Sequence, residues 1–140
     1  MAGSSGPGGD TRAAALHLEV GQVVQELGWD TDVDAGLRDA VMDAIDSDLV
    51  EDAVEAVDAV LLWWRDEDGD VADGLVDALR DLGGAGHIWL LTPKVGRDGY
   101  VDPTDIAEGA STAGLTLANV VNVSPAWQAQ KVVRPRLARR

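Results

Sequence analysis

Two short apolar runs limit most strongly what this chain can fold into. Residues 59–64 read AVLLWW and residues 87–92 read HIWLLT, and a turn-forming sequence follows each run. Each run is too short for a buried helix and too continuously apolar for a strand with one face in water. Such runs are typical of strands that helices cover on both faces, as in a parallel sheet. The chain is therefore predicted to be an α/β protein.

Hydrophobic periodicity places helices between such strands along the rest of the chain. In chain order it predicts strand 23–27, helix 34–46, strand 58–64, helix 70–82, strand 86–92, helix 103–113, and strands 115–123 and 128–134. Residues 49–57 fit either a short strand or a helical turn. The connection at 124–127 is too short for a helical crossover, so the last two strands are predicted to form an antiparallel hairpin.

Capping residues mark where the three predicted helices begin and where the second one ends. Asp34, Asp70 and Asp102 stand directly before the helices. A carboxylate at that position accepts hydrogen bonds from free backbone N–H groups. Gly83 and Gly84 follow the second helix and are predicted to stop it, since glycine commonly ends helices.

The net charge of −14 is unevenly spread along the sequence. Residues 19–81 hold twenty acids against three arginines, a balance of −17, whereas residues 82–140 carry a balance of +3. An acidic body repels phosphate backbones, so direct nucleic-acid binding is disfavoured except through the basic C-terminus. Solubility alone would explain the acidity. The more specific hypothesis is an acidic face that binds a protein partner with a basic surface.

Composition removes several other classes of protein. The chain has no cysteine, which excludes disulfides, thiolate metal sites and thiol chemistry. Its apolar runs are far shorter than a membrane span, and residues 1–18 lack the features of a secretory signal, so we expect a cytoplasmic protein without membrane contact. Residues 1–12 are predicted to be a flexible tail, residues 13–137 one domain and residues 138–140 a frayed basic end.

Several segments together resemble an uncharacterised domain family of small acidic actinomycete proteins, known only as a domain of unknown function. The segments that carry the resemblance are VVQELGWD at 23–30, VDAVLLWWRDEDGD at 57–70, IWLLTPK at 88–94, PTDIAEGASTAGL at 103–115 and the W-x-x-x-K-V-V-R-P ending at 127–135. Together they span roughly residues 16–137. The motifs are long enough to be specific.

This resemblance implies a cut-down Rossmann-like fold that is reminiscent of methyltransferases, and it implies no reaction. With the periodicity, it predicts a single three-layer Rossmann-like domain with a mostly parallel sheet and a C-terminal antiparallel hairpin. Some relatives carry cysteines and have been discussed as stress-responsive partners of transcription. A thiol switch of that kind cannot carry over to a chain without cysteine.

Three residues are the candidates for contacting a small molecule. Gly28 and Trp29 follow the first strand, where nucleotide-binding folds place a glycine-rich turn. One glycine, a bulky indole and nearby carboxylates suit a phosphate poorly, so no cofactor is expected there. Lys94 follows the strand at 86–92 and is the best single candidate for contacting an anion.

The acidic loop after the first tryptophan-bearing strand is a weak candidate for a metal site. It contains Asp66, Asp68 and Asp70, but the glycine and glutamate that a calcium-binding EF-hand loop needs are missing. We interpret it as a solvated loop that caps the next helix. The two histidines lack zinc-site spacing, and no nucleophile elbow of the G-x-S-x-G type is present.

Candidate partner-binding residues combine exposed aromatic groups with charge. Trp29 and Trp127 are predicted to lie in loops, and of the five tryptophans these two are the candidates for exposure. The alternative, which is favoured, is that each seals an end of the core. Tryptophan often anchors protein interfaces. The set comprises Trp29, Asp66, Glu67, Asp68, Trp127, Lys131 and Arg134.

The leading hypothesis is a non-catalytic regulatory or adaptor protein that acts by protein–protein contact, with the transcription machinery as one partner to consider. One alternative is a degenerate binder of S-adenosylmethionine or a nucleotide-like molecule, or a methyltransferase-like enzyme. The other is a homo-oligomeric structural protein.

Overall fold

The computed structural model describes residues 11–135, which form a five-stranded sheet with helices on both faces. The strands are β1 (Val24–Leu27), β2 (Val57–Trp63), β3 (Leu82–Pro93), β4 (Thr116–Asn122) and β5 (Trp127–Val133). The helices are α1 (Thr11–Ala14), α2 (Ala35–Ile45), α3 (Val71–Leu79) and α4 (Pro103–Thr112), with a 3₁₀ turn at Asp66–Asp68. None of these helices is long and apolar enough to cross a membrane. Most of the predicted tail, and residues 138–140, lie outside the described range.

The sheet has the strand order β1-β2-β3-β5-β4. The first three strands are parallel, and β5 runs antiparallel to both β3 and β4. The prediction of a mostly parallel sheet with an antiparallel C-terminal hairpin is thereby confirmed. Residues 49–56 form neither a full strand nor a helix, and Val57 already opens β2. Val50 makes a single parallel bridge to Gln25, and the chain then runs as a loop to the start of β2.

Alternation along the two apolar strands supplies both halves of the core. Trp63 and Trp89 point to one face of the sheet, where they pack with residues of α2 such as Leu37. Leu62 and Leu90 point to the other face, against α3 and α4. Neighbouring strand residues lie on opposite sides, so a strand that is covered twice must be apolar throughout.

The predicted helix starts are confirmed, whereas the predicted end of the second helix is wrong. Asp34, Asp70 and Asp102 each accept a hydrogen bond from a backbone N–H of the helix that follows. However, α3 ends at Leu79, and Gly83 already belongs to β3. A Cβ at Gly83 would lie 3.2 Å from a carbonyl oxygen of β2, so this glycine serves the close approach of two strands.

Candidate functional site

The carboxyl ends of β1 and β2 form a topological switch point. From β1 the chain passes through α2 to Val50, which pairs on the outer side of β1. It then returns to β2 on the inner side of β1, and from there continues through α3 to β3. The two connections thus leave in opposite directions. In open α/β sheets, ligands bind in the crevice at such a point.

Gly28 lets the two strand ends approach each other closely. It has a φ of +78°, and a Cβ at this position would lie 2.2 Å from the carbonyl oxygen of Trp63. The turn directs the next residue outward, and Trp29 is 51% exposed. Both residues line a cavity of about 270 Å³ between the ends of the strands. Gly28 and Trp29 therefore do lie together at the switch point.

Arg65 occupies the inner part of this crevice. Its side chain is 8% exposed, and its Nε and Nη2 donate to the two carboxylate oxygens of Asp32 at 3.0 and 2.5 Å. Nη1 donates to the carbonyl oxygen of Gly28 at 2.7 Å and reaches the carboxylate of Asp68 at 3.4 Å. The guanidinium carbon also lies 5.2 Å from the ring centroid of Trp127. Hydrogen bonds in the guanidinium plane and a ring contact together hold the group in place.

The electrostatics of this group follow from its partners. Burial by itself would lower the pKa of Arg65, but hydrogen bonds and Coulomb attraction from Asp32 and Asp68 outweigh it, and the net pKa is raised. The hydrogen bonds from Arg65 hold the pKa of Asp32 below its ordinary value, against a smaller opposing effect of burial. The pair is therefore fully charged at neutral pH.

A second ion pair, between Glu26 and Arg38, contacts the aromatic residues beside the crevice. Glu26 is buried on β1 and accepts two hydrogen bonds from Arg38 of α2, at 2.6 and 2.8 Å. It also accepts one at 2.9 Å from the indole N–H of Trp63. The ring of Trp63 packs edge-to-face on that of Trp127, with centroids 4.9 Å apart. Glu26 therefore fixes the aromatic surface over which Arg65 lies.

The predicted loop position of Trp127 is wrong, and its side chain follows the alternative in which it seals an end of the core. It opens β5, and only 2% of its surface is accessible. Its indole N–H donates to the carbonyl oxygen of Asp32, and its backbone N–H donates to the hydroxyl of Ser124. The same hydroxyl donates to Asp34 at 2.6 Å, which ties the hairpin turn to the start of α2. The turn therefore folds inward, and Trp127 seals the core.

Lys94 lies apart from the crevice. It follows β3, and its ammonium group donates to the side-chain oxygen of Asn122 at 2.5 Å. The cavity beside Gly28 and Trp29 is not lined by this lysine. The contact links the loop after β3 to the end of β4. The structure thus does not bring the three small-molecule candidates together.

The acidic loop after β2 is organised by hydrogen bonding. The carboxylate of Asp68 accepts from the backbone N–H of Arg65 at 2.9 Å, and Asp70 caps α3. Asp66 and Glu67 are exposed. Within residues 11–135, no three histidine, aspartate or glutamate side chains meet in a group that could hold a metal ion. The loop therefore shapes the rim of the crevice.

The two basic candidates for partner binding, Lys131 and Arg134, do not line the crevice. Lys131 is half-buried on β5. Arg134 donates to the carbonyl oxygens of Leu82 and Gly83, at 3.0 and 2.7 Å. It therefore holds the start of β3. The other basic residues of the C-terminus, from Arg136 onward, lie outside the described range.

The central residues that sequence analysis missed are Arg65 and Asp32. A usable signal was present, because residues 19–81 contain only three basic residues among twenty acids. Two of those three, Arg38 and Arg65, form ion pairs in which one partner is buried. A rare cation in an acidic segment, placed directly after an apolar strand, is a strong candidate for a structural ion pair.

Solved structures of methyltransferases share the architecture. The chain matches the CcbJ methyltransferase from Streptomyces caelestis with a TM-score of 0.56 and 14% identity, over 94% of this chain and 92% of that one. It matches a TehB-like SAM-dependent methyltransferase from Corynebacterium glutamicum with a TM-score of 0.53 and 15% identity, over 91% and 88%. At such identities the likeness shows the fold alone. The prediction of a Rossmann-like fold is thereby confirmed.

The crevice as it stands does not fit S-adenosylmethionine. The cavity that remains beside Gly28 and Trp29 has a volume of about 270 Å³, near the lower end of ligand pockets. Arg65 lies beside the strand ends, where it is paired with Asp32 and Asp68. Entry would require the guanidinium to leave Asp32 and the carbonyl oxygen of Gly28.

Relatives at higher identity exist in mycobacteria. An uncharacterized protein of Mycobacterium tuberculosis strain H37Rv is 44% identical over 139 residues, which cover 92% of this chain and 87% of the relative. Residues 13–136 also match the family described as "Protein of unknown function (DUF3052)". This match spans nearly the whole domain and includes every segment on which the resemblance was based. The chain therefore belongs to the DUF3052 family.

Proposed function

We propose that this protein is a non-catalytic binding protein that acts through protein–protein contacts. The observation that carries the proposal is the position of Arg65 in the crevice at the switch point. A methyltransferase-like scaffold offers its ligand space there, and in this chain a paired, buried guanidinium fills it. All three nitrogens of the guanidinium donate to acceptors, two to Asp32 and one to the carbonyl oxygen of Gly28. The crevice therefore works as a rigid support for the surface above it.

That surface, which we call the Trp29 rim, consists of Trp29, Asp30 and Asp68. All three line the same outer cavity and are exposed. A half-exposed indole supplies a large contact area at low entropic cost, and carboxylates beside it favour a partner with a basic surface. The partner class we propose is a basic protein surface, and the transcription machinery is the first place to look.

Affinity capture of the full chain from its native cytoplasm, followed by reconstitution from purified components, tests the proposal. Trp29→Ala should abolish binding of the purified partner, because the indole is the anchor of the rim. Val54→Ala is the matched control, since Val54 is an exposed apolar residue elsewhere on the surface, 98% accessible. Equal binding by both variants and the native chain would place the interface elsewhere, and the proposal would be withdrawn.

A second candidate is a small-molecule binder, favoured by the cavity of about 270 Å³ beside Gly28 and Trp29. Its size suits a molecule smaller than a nucleoside cofactor. Isothermal titration calorimetry with S-adenosylmethionine, and with small planar molecules that can stack on the indole of Trp29, separates this candidate from the first. Saturable binding that Trp29→Ala removes, without any protein partner, would favour the small-molecule function.

A further inference from the structure

A second cavity lies on the outer edge of the sheet, and we call it the edge pocket. It has a volume of about 310 Å³ and is bounded by β1, the loop after Val50 and the outer side of α3. The helix α3 packs on β2 and β3. Beyond Val50, no described strand continues the sheet outside β1. The pocket therefore occupies the place that a further strand and helix would cover.

The floor of the edge pocket is apolar. Leu27 and Leu62 lie on neighbouring strands, and the indole of Trp64 lies between them and α3. Gly74 of α3 allows the indole to approach, because a Cβ there would lie 2.7 Å from the six-membered ring of Trp64. This floor suits an aliphatic stem, and the face of Trp64 attracts cations.

Gln25 is a buried polar group with half of its hydrogen bonding unsatisfied. Its side-chain N–H group donates to the carbonyl oxygen of Glu51 at 2.8 Å and to the carboxylate of Asp81 at 3.2 Å. Both acceptors belong to residues that line the edge pocket. Gln25 is 4% exposed, yet its Oε1 accepts no hydrogen bond from any residue of the described chain. A buried acceptor of this kind is open to a donor from solvent or from a ligand. Of the three buried side-chain polar atoms without a partner in the described chain, only this one belongs to a residue that lines the edge pocket.

The charge on the walls indicates which donor fits. Four carboxylates line the pocket, those of Glu51, Asp52, Asp77 and Asp81, against one cation, Arg80. Arg80 pairs with Asp77 at 3.4 Å, and both side chains are largely exposed. The remaining negative charge repels anions and attracts a cation that has N–H groups to donate.

We propose that the edge pocket binds an alkyl-stemmed cation, an ammonium or guanidinium group on an aliphatic chain. The stem lies on Leu27, Leu62 and Trp64. A rotation of the Gln25 amide turns the buried Oε1 toward the pocket, where it accepts from an N–H group of the cation. The carboxylates on the walls balance its charge. A free polyamine and a lysine or arginine side chain of another protein share this chemistry. The edge pocket and the crevice share Gly28 and Trp64 in their lining, but Gln25 and the four carboxylates line the edge pocket and not the crevice. This inference therefore does not depend on the proposed function.

Titration of the ¹⁵N-labelled full chain followed by NMR tests the inference. The probes are agmatine, spermidine and a short blocked peptide with one central lysine. The expected result is a saturable shift of the side-chain amide resonances of Gln25 and of the indole N–H of Trp64. Saturation by the free amines alone points to a polyamine, and saturation by the peptide alone points to a partner side chain. No shift with any probe would overturn the inference.

Two pairs of variants separate a pocket from general attraction to an acidic protein. Asp52→Asn with Asp77→Asn should weaken binding at least tenfold. Asp48→Asn with Asp73→Asn removes the same charge from exposed positions that do not line the pocket, and should change affinity less than twofold. Equal losses in both double variants would overturn the inference.

Gln25→Met tests the orphan acceptor itself, since methionine keeps the shape of the side chain and removes the amide. Affinity for agmatine should fall at least tenfold while the melting profile stays cooperative. Unchanged affinity would overturn the assigned role of Gln25. Should this variant fail to fold, the carboxylate variants still decide whether the pocket binds a cation. Failure of the partner capture at the Trp29 rim would leave this outcome unaffected.

Discussion

The crevice at the switch point and the edge pocket are two openings of similar size with opposite internal chemistry. In the crevice, Arg65 is buried among acceptors and a ring that satisfy it. In the edge pocket, Gln25 is buried with an acceptor left open. The difference shows that the place where a fold usually binds its ligand can be filled by the chain itself. The edge pocket, by contrast, lies outside β1, where no described strand continues the sheet, and it contains an acceptor that has no hydrogen-bond donor.

The largest expected effect comes from emptying the crevice. Arg65→Ala removes the guanidinium, leaves the carbonyl oxygen of Gly28 without that donor and opens a void beside Trp127. We expect the free energy of unfolding to fall by about 2–4 kcal/mol, measured by urea denaturation. Arg80→Ala is the control, because Arg80 is exposed and its loss should cost less than about 0.5 kcal/mol. Equal losses would mean that Arg65 does not hold the crevice.

A smaller effect should follow from a methyl group at the strand junction. Gly28 and Gly114 have nearly the same positive φ, +78° and +77°, but only at Gly28 would an added Cβ lie 2.2 Å from a backbone oxygen. Gly114→Ala should cost about 1 kcal/mol from backbone strain alone. Gly28→Ala should cost at least about 1 kcal/mol more, because β1 and β2 must separate. Chemical denaturation of both variants measures the difference, and similar values would show that the close approach is unimportant.

The acid side of the stability profile tests the Arg65–Asp32 pair. Because Arg65 lowers the pKa of Asp32 in the folded chain, the pair contributes stability above the ordinary aspartate pKa of 3.8. That contribution is lost as the pH falls through the lower, folded pKa. Asp32→Asn should therefore be less stable than the native chain at neutral pH and lose less stability between about pH 4 and 2.

The measurement for this pair is urea denaturation at a series of pH values. Asp73→Asn serves as control, since Asp73 is an exposed aspartate of α3. Its profile should keep the native slope. If the free energy of unfolding of Asp32→Asn falls with pH as steeply as that of the native chain, the acid-dependent loss of stability does not come from Asp32. Asp32 itself is about half exposed, so solvent screening keeps the effect modest.

Periodicity and capping predicted the layers of this fold because they depend on residues close in sequence. The alternation in 59–64 sends Trp63 and Leu62 to opposite faces, and Asp34 caps the helix that begins at the next residue. Gly83 was misassigned, because a glycine can end a helix or allow two strands to approach, and only the partner strand distinguishes these roles.

The candidate site could be predicted only in part, because its main contacts join distant segments. Arg65 meets Asp32 across 33 positions, and Trp127 meets the carbonyl oxygen of Asp32 across 95. No local pattern encodes such a pairing. The sequence left both exposure and burial open for Trp127, because the hydrogen bond from Ser124 to Asp34, which turns the hairpin inward, also joins distant segments. Trp29 was placed correctly, since a turn after a short edge strand leaves a bulky residue few surfaces to pack on.

The smallest expected effect contrasts the two openings directly by ligand-induced stabilisation. A ligand that binds only the folded state adds about 0.4 kcal/mol at a concentration near its Kd, which would raise the melting temperature by about one to two degrees. S-adenosylmethionine should leave the melting temperature of the native chain unchanged, since Arg65 fills the crevice. Agmatine should raise it slightly, and Asp52→Asn with Asp77→Asn should remove that rise. Differential scanning calorimetry of one protein preparation, with each ligand in turn, measures both shifts of the melting temperature. A clear rise with S-adenosylmethionine would mean that Arg65 leaves its partners readily, so that the closed crevice and the open pocket differ less than their hydrogen bonds indicate.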